Sequence, residues 1–175
     1  MIYFELGGIA VPTLAILDFS QTYDAVRQNT IKRKVDGTGL LHSSPLSGKI
    51  RTRLSGKGWS TAGLNGLDYS QAMTLKCAVP MGVNSASNVI VIPAARRSDV
   101  GYEPAGFVIL ADGSRVSTGF DSVVTDTYTL TTVAGASFYQ VEYFPQISVL
   151  VTERPSDDID YSRVDYSWSL VAEQI

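Results

Sequence analysis

The chain has 175 residues and a net charge of −3, and its content of 45% hydrophobic and 18% charged residues is typical of a globular protein that buries a core. No apolar run approaches the roughly 20 residues that span a bilayer, and the N-terminal MIYFELGGIAVPTLAIL has neither the basic start nor the unbroken apolar centre of a signal peptide. We therefore expect a soluble protein made in the cytosol. Its length fits one domain, or one domain with a large insertion.

A single cysteine and a single histidine limit the chemistry of the chain. Cys77 cannot form an intrachain disulfide or a cysteine-rich zinc site, and its place in AMTLKCAVP predicts a small buried side chain. His42 is predicted to lie in a loop, and it would be the only base for Ser-His-Asp catalysis. We expect no enzyme activity, no cofactor and no metal site.

β-Branched and aromatic residues recur at every second position through most of the chain, which predicts strands. Near the N-terminus, IYFEL and GIAVPTLAIL are apolar runs broken by glycines and by Pro12, which favours a strand start or a sheet edge. SQTYDAVRQN, with Ser20 as its cap, is one stretch able to form a short helix, and ARRSDVG is the second. TIKRKVDGTG predicts a strand that enters a turn at Asp36 and Gly37.

Alternation is plain in KIRTRLSGKGW. One face carries Ile50, Thr52 and Leu54, and the other carries Lys49, Arg51, Arg53 and Ser55. Further strands are predicted in QAMTLKCAV, SNVIVIPA, GFVILADGSRVSTGF, TYTLTTVA and ASFYQVEYFPQISVLVTERP. Asp112-Gly113 predicts a hairpin turn, and Gly135 is expected to turn TYTLTTV back onto SFYQVEYF. Residues 56–70 and 93–105 are predicted to be long loops that make contacts.

The chain closes with its best-patterned strand, VDYSWSLVAEQI. One parity carries Val164, Tyr166, Trp168, Leu170 and Ala172. This apolar face must be covered, so the strand either pairs centrally in its own sheet or closes the edge of a neighbour's. The predicted fold is all-β and mainly antiparallel. We expect a single β domain of residues 1–175, a β-sandwich or barrel with two long loops and at most one or two short helices.

Charge is distributed unevenly. Residues 27–57 hold eight of the fourteen basic residues against one acid, Asp36, whereas the chain is mainly acidic from Glu142 onward. These segments could neutralise each other within a subunit or meet across copies. In SDDIDYS, three aspartates lack the ligand order of an EF-hand loop, so we interpret them as a solvated acidic turn between strands.

Aromatic residues leave two questions open. SFYQVEYF carries them on both faces, which indicates either a thick core or a subunit interface. A carbohydrate-binding sandwich is an alternative function, with Trp59 and Tyr69 as candidate stacking residues. Binding of single-stranded nucleic acid is disfavoured, because no aromatic residue interleaves the basic side chains of KIRTR.

Several phrases of the chain resemble the small β-structured tail-tip and baseplate proteins of long-tailed bacteriophages. They are VDGTGLL, KIRTRLSGKGW, AGLNGLDYSQAMTLKCAVP, PAARRSDVGYEP and YSWSLVAEQI, and together they cover most of the chain. The resemblance implies a virion structural protein, similar to distal tail or tail-tube subunits, in a ring that links the tail tube to adhesion proteins. Because no long helix is predicted, the tail tip is favoured over the tube.

The resemblance also implies sheets that join across copies, other tail proteins as partners, and a place in the virion tail after synthesis in the host cytoplasm. DNA would at most pass through a channel, and no membrane is expected. We predict a ring interface in which the basic strand meets the acidic turn of the next subunit. Its candidate residues are Lys49, Arg51, Arg53, Asp157, Asp158, Asp160, Tyr166 and Trp168.

Overall fold

A computed structural model describes residues 3–26, 30–42, 48–160 and 165–175 of the chain. These residues form an all-β, mainly antiparallel structure with one 3-10 turn at Thr13–Ala15, which confirms the predicted fold class. The strands are β1 Glu5–Leu6, β2 Ile9–Ala10, β3 Asp18–Ala25, β4 Thr30–Arg33, β5 Gly39–His42, β6 Ile50–Gly58, β7 Met73–Lys76, β8 Met81–Ser85, β9 Val89–Val91, β10 Ala105–Leu110, β11 Arg115–Thr118, β12 Phe120–Val124, β13 Thr127–Leu130, β14 Ala136–Tyr143, β15 Gln146–Asp160 and β16 Asp165–Gln174.

The chain divides into two compact units. The terminal unit comprises residues 5–75 and 148–175, and the inserted unit comprises residues 76–147 with the N-terminal residues up to Phe4. This division has the form of a domain with a large insertion. A single folding domain stays a prediction, because compactness does not measure whether the two units unfold together.

The terminal unit contains a seven-stranded sheet in the order β2-β1-β7-β15-β16-β6-β3 and a separate two-stranded hairpin, β4–β5. The C-terminal strand β16 lies between β15 and β6 and pairs antiparallel with both. Of the two positions that the sequence leaves open for this strand, it occupies the central one in its own sheet. Val164, the first residue of the predicted strand, lies outside the described residues.

Trp168 anchors the buried face of this sheet. It lies opposite Gly56 of β6, where an added Cβ would come within 2.5 Å of the indole Cζ2. The indole Nε1–H donates a hydrogen bond to the carbonyl oxygen of Ala15 at 2.8 Å. Phe19 of β3 flanks Gly56 on the other side, with its ring centroid 6.4 Å from that of Trp168. The missing side chain of Gly56 therefore provides the slot that the indole fills.

The inserted unit contains two sheets, β11-β10-β14-β8 and β12-β13-β9. One core cluster draws residues from both sheets: Ile90, Ile92, Val108, Tyr128, Leu130, Tyr139, Val141 and Tyr143. On β14, the face with Tyr139, Val141 and Tyr143 is buried, whereas Phe138 on the opposite face is about half exposed. The aromatic residues of SFYQVEYF therefore fill one core from one face and leave the other face partly open.

A buried arginine ties the inserted unit together. The Arg97 side chain is fully buried, and its guanidinium lies 3.2 Å from the ring centroid of Tyr102. Its Nη1 donates to the carbonyl oxygens of Tyr3 and Cys77, both at 2.9 Å, and its Nη2 contacts Oδ2 of Asp99 at 2.6 Å. A cation buried in this way is tolerated because its donors have fixed acceptors. Cys77 is buried, as predicted.

Apart from the predicted acidic turn, which is described below, four local predictions differ from the structure. The described part of SQTYDAVRQN forms strand β3 rather than a helix, because Phe19, Gln21 and Tyr23 alternate inward and the strand pairs with β6 along its whole length. ARRSDVG also forms no helix, since Arg97 within it reaches the core. His42 ends strand β5 and does not lie in a loop.

The fourth difference concerns the turn at Gly135. This glycine has the positive φ of a turn, 82°, but the strands that flank it, β13 and β14, lie in different sheets. Both strands contribute to the same core from their two sheets, so the chain crosses between layers instead of forming a hairpin. The predicted hairpin at Asp112-Gly113 is confirmed, because β10 and β11 pair antiparallel across it.

Candidate assembly surfaces

The arginines on the solvent-facing side of β6 form ion pairs with acidic residues of the same chain. Arg51 Nε lies 3.3 Å from Oε1 of Glu173, and its Nη2 lies 3.9 Å from Oε1 of Glu153. Arg53 Nε lies 3.8 Å from Oδ2 of Asp24 on β3. The sequence predicts that this basic strand meets acidic residues of the next subunit, but the structure places acidic partners beside it in the same sheet. Arg27, also part of the basic segment, lies outside the described residues.

The remaining candidates of the predicted interface are Lys49, Trp168 and Tyr166. Lys49 precedes β6 and is half-buried, with its carbonyl oxygen accepting a hydrogen bond from the Val26 amide at 2.9 Å. Trp168 is 3% exposed, and its neighbour Tyr166, opposite Gly58, is half-buried. Trp168 therefore has its cover inside the chain and offers no surface to a second copy. The ring interface as a whole stays a prediction.

The predicted acidic turn is a strand. β15 continues through Asp160, and its second half, from Thr152 onward, is mostly exposed. Asp157 accepts a hydrogen bond from Asn65 Nδ2 at 2.8 Å, and Asp158 accepts one from the Ile159 amide at 2.9 Å. Among the described residues, neither carboxylate has a cation within ion-pair distance. We call this exposed half of the strand, residues 152–160, the acidic arm.

The sequence did not single out hairpin β4–β5 as a surface. Every described side chain from Ile31 to Leu40 is exposed, including both of these apolar residues. Lys32, Arg33 and Lys34 lie on it, and within the described part of the chain none of the three makes an ion pair. The signal that could have identified it is TIKRKVDG itself, where apolar residues and cations share a strand too short to bury either face.

An apolar row lies on the outer face of the three-stranded sheet in the inserted unit. Val91, Thr127 and Val124 are direct cross-strand neighbours on β9, β13 and β12. Val91 is 66% exposed and Val124 65%, and Val89 lies two residues from Val91 on the same face. The core-facing residues Ile90 and Tyr128 occupy the opposite parity, so these valines point away from the core.

A shallow groove of about 260 Å³ lies at the end of β6, lined by Leu17, Asp18, Lys57, Gly58, Trp59 and Asp165. Trp59 is 67% exposed, and its amide donates to the carbonyl oxygen of Leu14 at 2.7 Å. An added Cβ at Gly58 would overlap that oxygen, so the approach requires glycine. Tyr69, the second candidate stacking residue, is half-buried and donates its hydroxyl to the Leu64 carbonyl.

No protein-family model matches the chain, and no curated protein matches it either. Within the described residues, the structure has no helix with the length and apolar character needed to cross a membrane. The same residues contain no group of three or more histidine, cysteine, aspartate or glutamate side chains placed to hold a metal ion.

Proposed function

We propose that this protein is a structural subunit of a bacteriophage tail tip, similar to distal tail proteins. In this role it assembles into a ring that links the tail tube to adhesion proteins, and it carries no catalytic activity and no cofactor. The resemblance of its sequence to tail-tip and baseplate proteins supports this class of protein. The exposed surfaces of the described residues support a role in assembly.

The apolar row of Val89, Val91 and Val124 carries this proposal. In a sheet with one face in water, the side chains that point to the solvent are usually polar. Here they are β-branched and apolar, and no described residue covers them. Burying such a row against a neighbouring subunit or tail protein removes it from water. A β-sheet face of this kind is therefore suited to an assembly in which subunits cover one another.

The terminal sheet offers a second kind of surface. Strand β3 lies at the edge of the seven-stranded sheet and pairs with β6 alone among the described strands, over eight residues. The outer edge of such a strand presents backbone amides and carbonyls able to pair with another chain. It carries Asp18 and Asp24, charges that protect an edge from unspecific pairing while leaving a selective partner possible.

Mass measurement by light scattering, combined with negative-stain electron microscopy of the purified full chain, tests the proposal. A discrete mass of several subunits and ring-shaped particles with a central opening are expected. A closed ring requires head-to-tail contacts between different faces. Stacked tubes of indefinite length would instead favour the alternative of a tail-tube subunit, and a chain that stays monomeric at every concentration would contradict the assembly function.

The exposed Trp59 beside the groove supports one competing function, a carbohydrate-binding module of an adhesin. An indole that is open to solvent and flanked by polar groups can stack on a sugar ring. A glycan array probed with the wild-type chain and with Trp59→Ala tests this function. Binding that is lost in the variant would favour the adhesin module over the ring subunit.

A further inference from the structure

The described side chains of hairpin β4–β5 are exposed on both of its faces. Each strand has four residues, and the ladder runs from Thr30 opposite His42 to Arg33 opposite Gly39. An isolated two-stranded hairpin is marginally stable in water, because it has no layer in which to bury its apolar side chains. Ile31 is 66% exposed and Leu40 48%. The hairpin therefore has the features of an element that is completed by a partner.

The turn of this hairpin gives it a defined shape. Gly37 has a φ of 82° and donates its amide to the Lys34 carbonyl at 2.9 Å, while the Thr38 amide donates to Oδ1 of Asp36 at 2.9 Å. The Lys34 amide also donates to the Thr38 carbonyl at 2.9 Å, so residues 35–37 form a three-residue loop with glycine in the left-handed region, which fixes the strand register. The hairpin would therefore lose less conformational freedom on binding a partner than an unstructured segment would.

No described residue compensates the positive charge of this hairpin. Residues 30–42 carry three cations, Lys32, Arg33 and Lys34, against one acid, Asp36, so the formal net charge is 3 − 1 = +2 with histidine neutral. The hydrogen bonds from Thr38 lower the pKa of the Asp36 carboxyl, so it is ionised at neutral pH. Within the described residues, the three cations have no ion-pair partner, in contrast to the basic residues of β6.

The acidic arm has the opposite imbalance. Residues 152–160 carry Glu153, Asp157, Asp158 and Asp160 against Arg154, a formal net charge of 1 − 4 = −3. Arg51 neutralises Glu153 in part, but Asp157 and Asp158 have only neutral hydrogen-bond donors among the described residues. Ile159, at 37% exposure, adds an apolar side chain on the same arm. Each surface thus combines a formal net charge with exposed aliphatic groups, and the signs are opposite.

We propose that hairpin β4–β5 of one copy docks on the acidic arm of a second copy. The inference rests on the proposed assembly function and names the contact that would form it. The chain carries both halves of the contact, so each copy can give its hairpin to one neighbour and receive the hairpin of another. Such a heterologous contact, repeated with a closing rotation, produces a ring. Opposite charges select the partner face, and burial of Leu40, which shares its hairpin face with Lys32, and of Ile159 adds apolar contact.

Charge reversal on each side tests the contact. The first variant carries Lys32→Glu and Lys34→Glu on the hairpin, and the second carries Asp157→Lys and Asp158→Lys on the arm. We expect each variant alone to need at least about tenfold higher concentration for assembly than the wild type. An equimolar mixture should assemble again, because the wild-type arm of the first variant meets the wild-type hairpin of the second, and the two reversed surfaces also complement each other.

A single chain carrying all four substitutions serves as the matched control, since it holds the same altered residues with the charge signs exchanged. It should assemble by itself, as the wild type does. Assembly of either two-substitution variant at the wild-type concentration would overturn the proposed contact, and so would a loss that neither the mixture nor the fourfold variant restores. A wild-type chain that fails to assemble would instead overturn the ring function on which the contact rests.

Discussion

Replacing Gly56 with alanine tests the packing of the terminal unit. The new Cβ would lie 2.5 Å from Cζ2 and 2.6 Å from Cε2 and Nε1 of Trp168, about 1 Å inside normal contact. The ring cannot move aside freely, because its Nε1–H is bonded to the Ala15 carbonyl. Overpacking of this kind costs about 1–3 kcal/mol, and removing a glycine from a strand returns about 0.5–1 kcal/mol. We therefore expect a net loss of about 1–2 kcal/mol.

Guanidinium unfolding followed by far-UV circular dichroism measures this loss, because the signal does not depend on the tryptophan. The control is Gly66→Ala, where an added Cβ meets nothing within 4 Å, and its stability should change by less than about 0.5 kcal/mol. In a Trp168→Leu background, Gly56→Ala should lose most of its cost, which gives a coupling energy of about 1–2 kcal/mol. Equal costs in the two backgrounds would refute the explanation.

Three further predictions concern the inserted unit. Arg97→Met should destabilise the chain by about 3 kcal/mol, because it takes the buried guanidinium away from Asp99 and removes the hydrogen bond that Arg97 donates to the Cys77 carbonyl; wild-type stability in this variant would contradict the role of Arg97 as an anchor. Partial burial raises the pKa of Asp99, but hydrogen bonds and charge from Arg97 and the charge of Lys76 outweigh it, so the pKa lies below its ordinary value. The carboxylate therefore contributes stability that is fully present above about pH 4 and is lost as pH falls below it, and the stability difference between wild type and Asp99→Asn should shrink in that range; a constant difference would exclude this contribution. Val91→Asp should weaken assembly without unfolding the chain, whereas Val100→Asp, at a 93% exposed loop position, should change neither; sedimentation velocity compares the two.

Strands were predictable where one face is buried and the other solvated. In β6, Thr52 and Leu54 are buried between exposed Arg53 and Ser55, so the alternation in the sequence reports the environment directly. The Asp112-Gly113 hairpin was also predictable, because its turn chemistry is local. β3 was mistaken for a helix, since its inward residues include the polar Gln21, which weakens the apolar alternation.

The positions of charged side chains were less predictable, because they depend on strand order. Arg51 and Glu153 are far apart in sequence and meet only because β16 lies between β15 and β6. The sequence could show that basic and acidic segments exist, but not which cations find partners inside the chain. Arg97 gave no signal at all, since a buried arginine in a polar loop has the same local sequence as an exposed one.

The mass of the purified chain in solution, measured by light scattering over a range of concentrations and salt, tests assembly most directly. We expect a discrete oligomer, or a monomer that associates sharply as salt is lowered, because opposite charges across the contact are screened over about 10 Å at 0.1 M salt. A strict monomer at high concentration and low salt would contradict it.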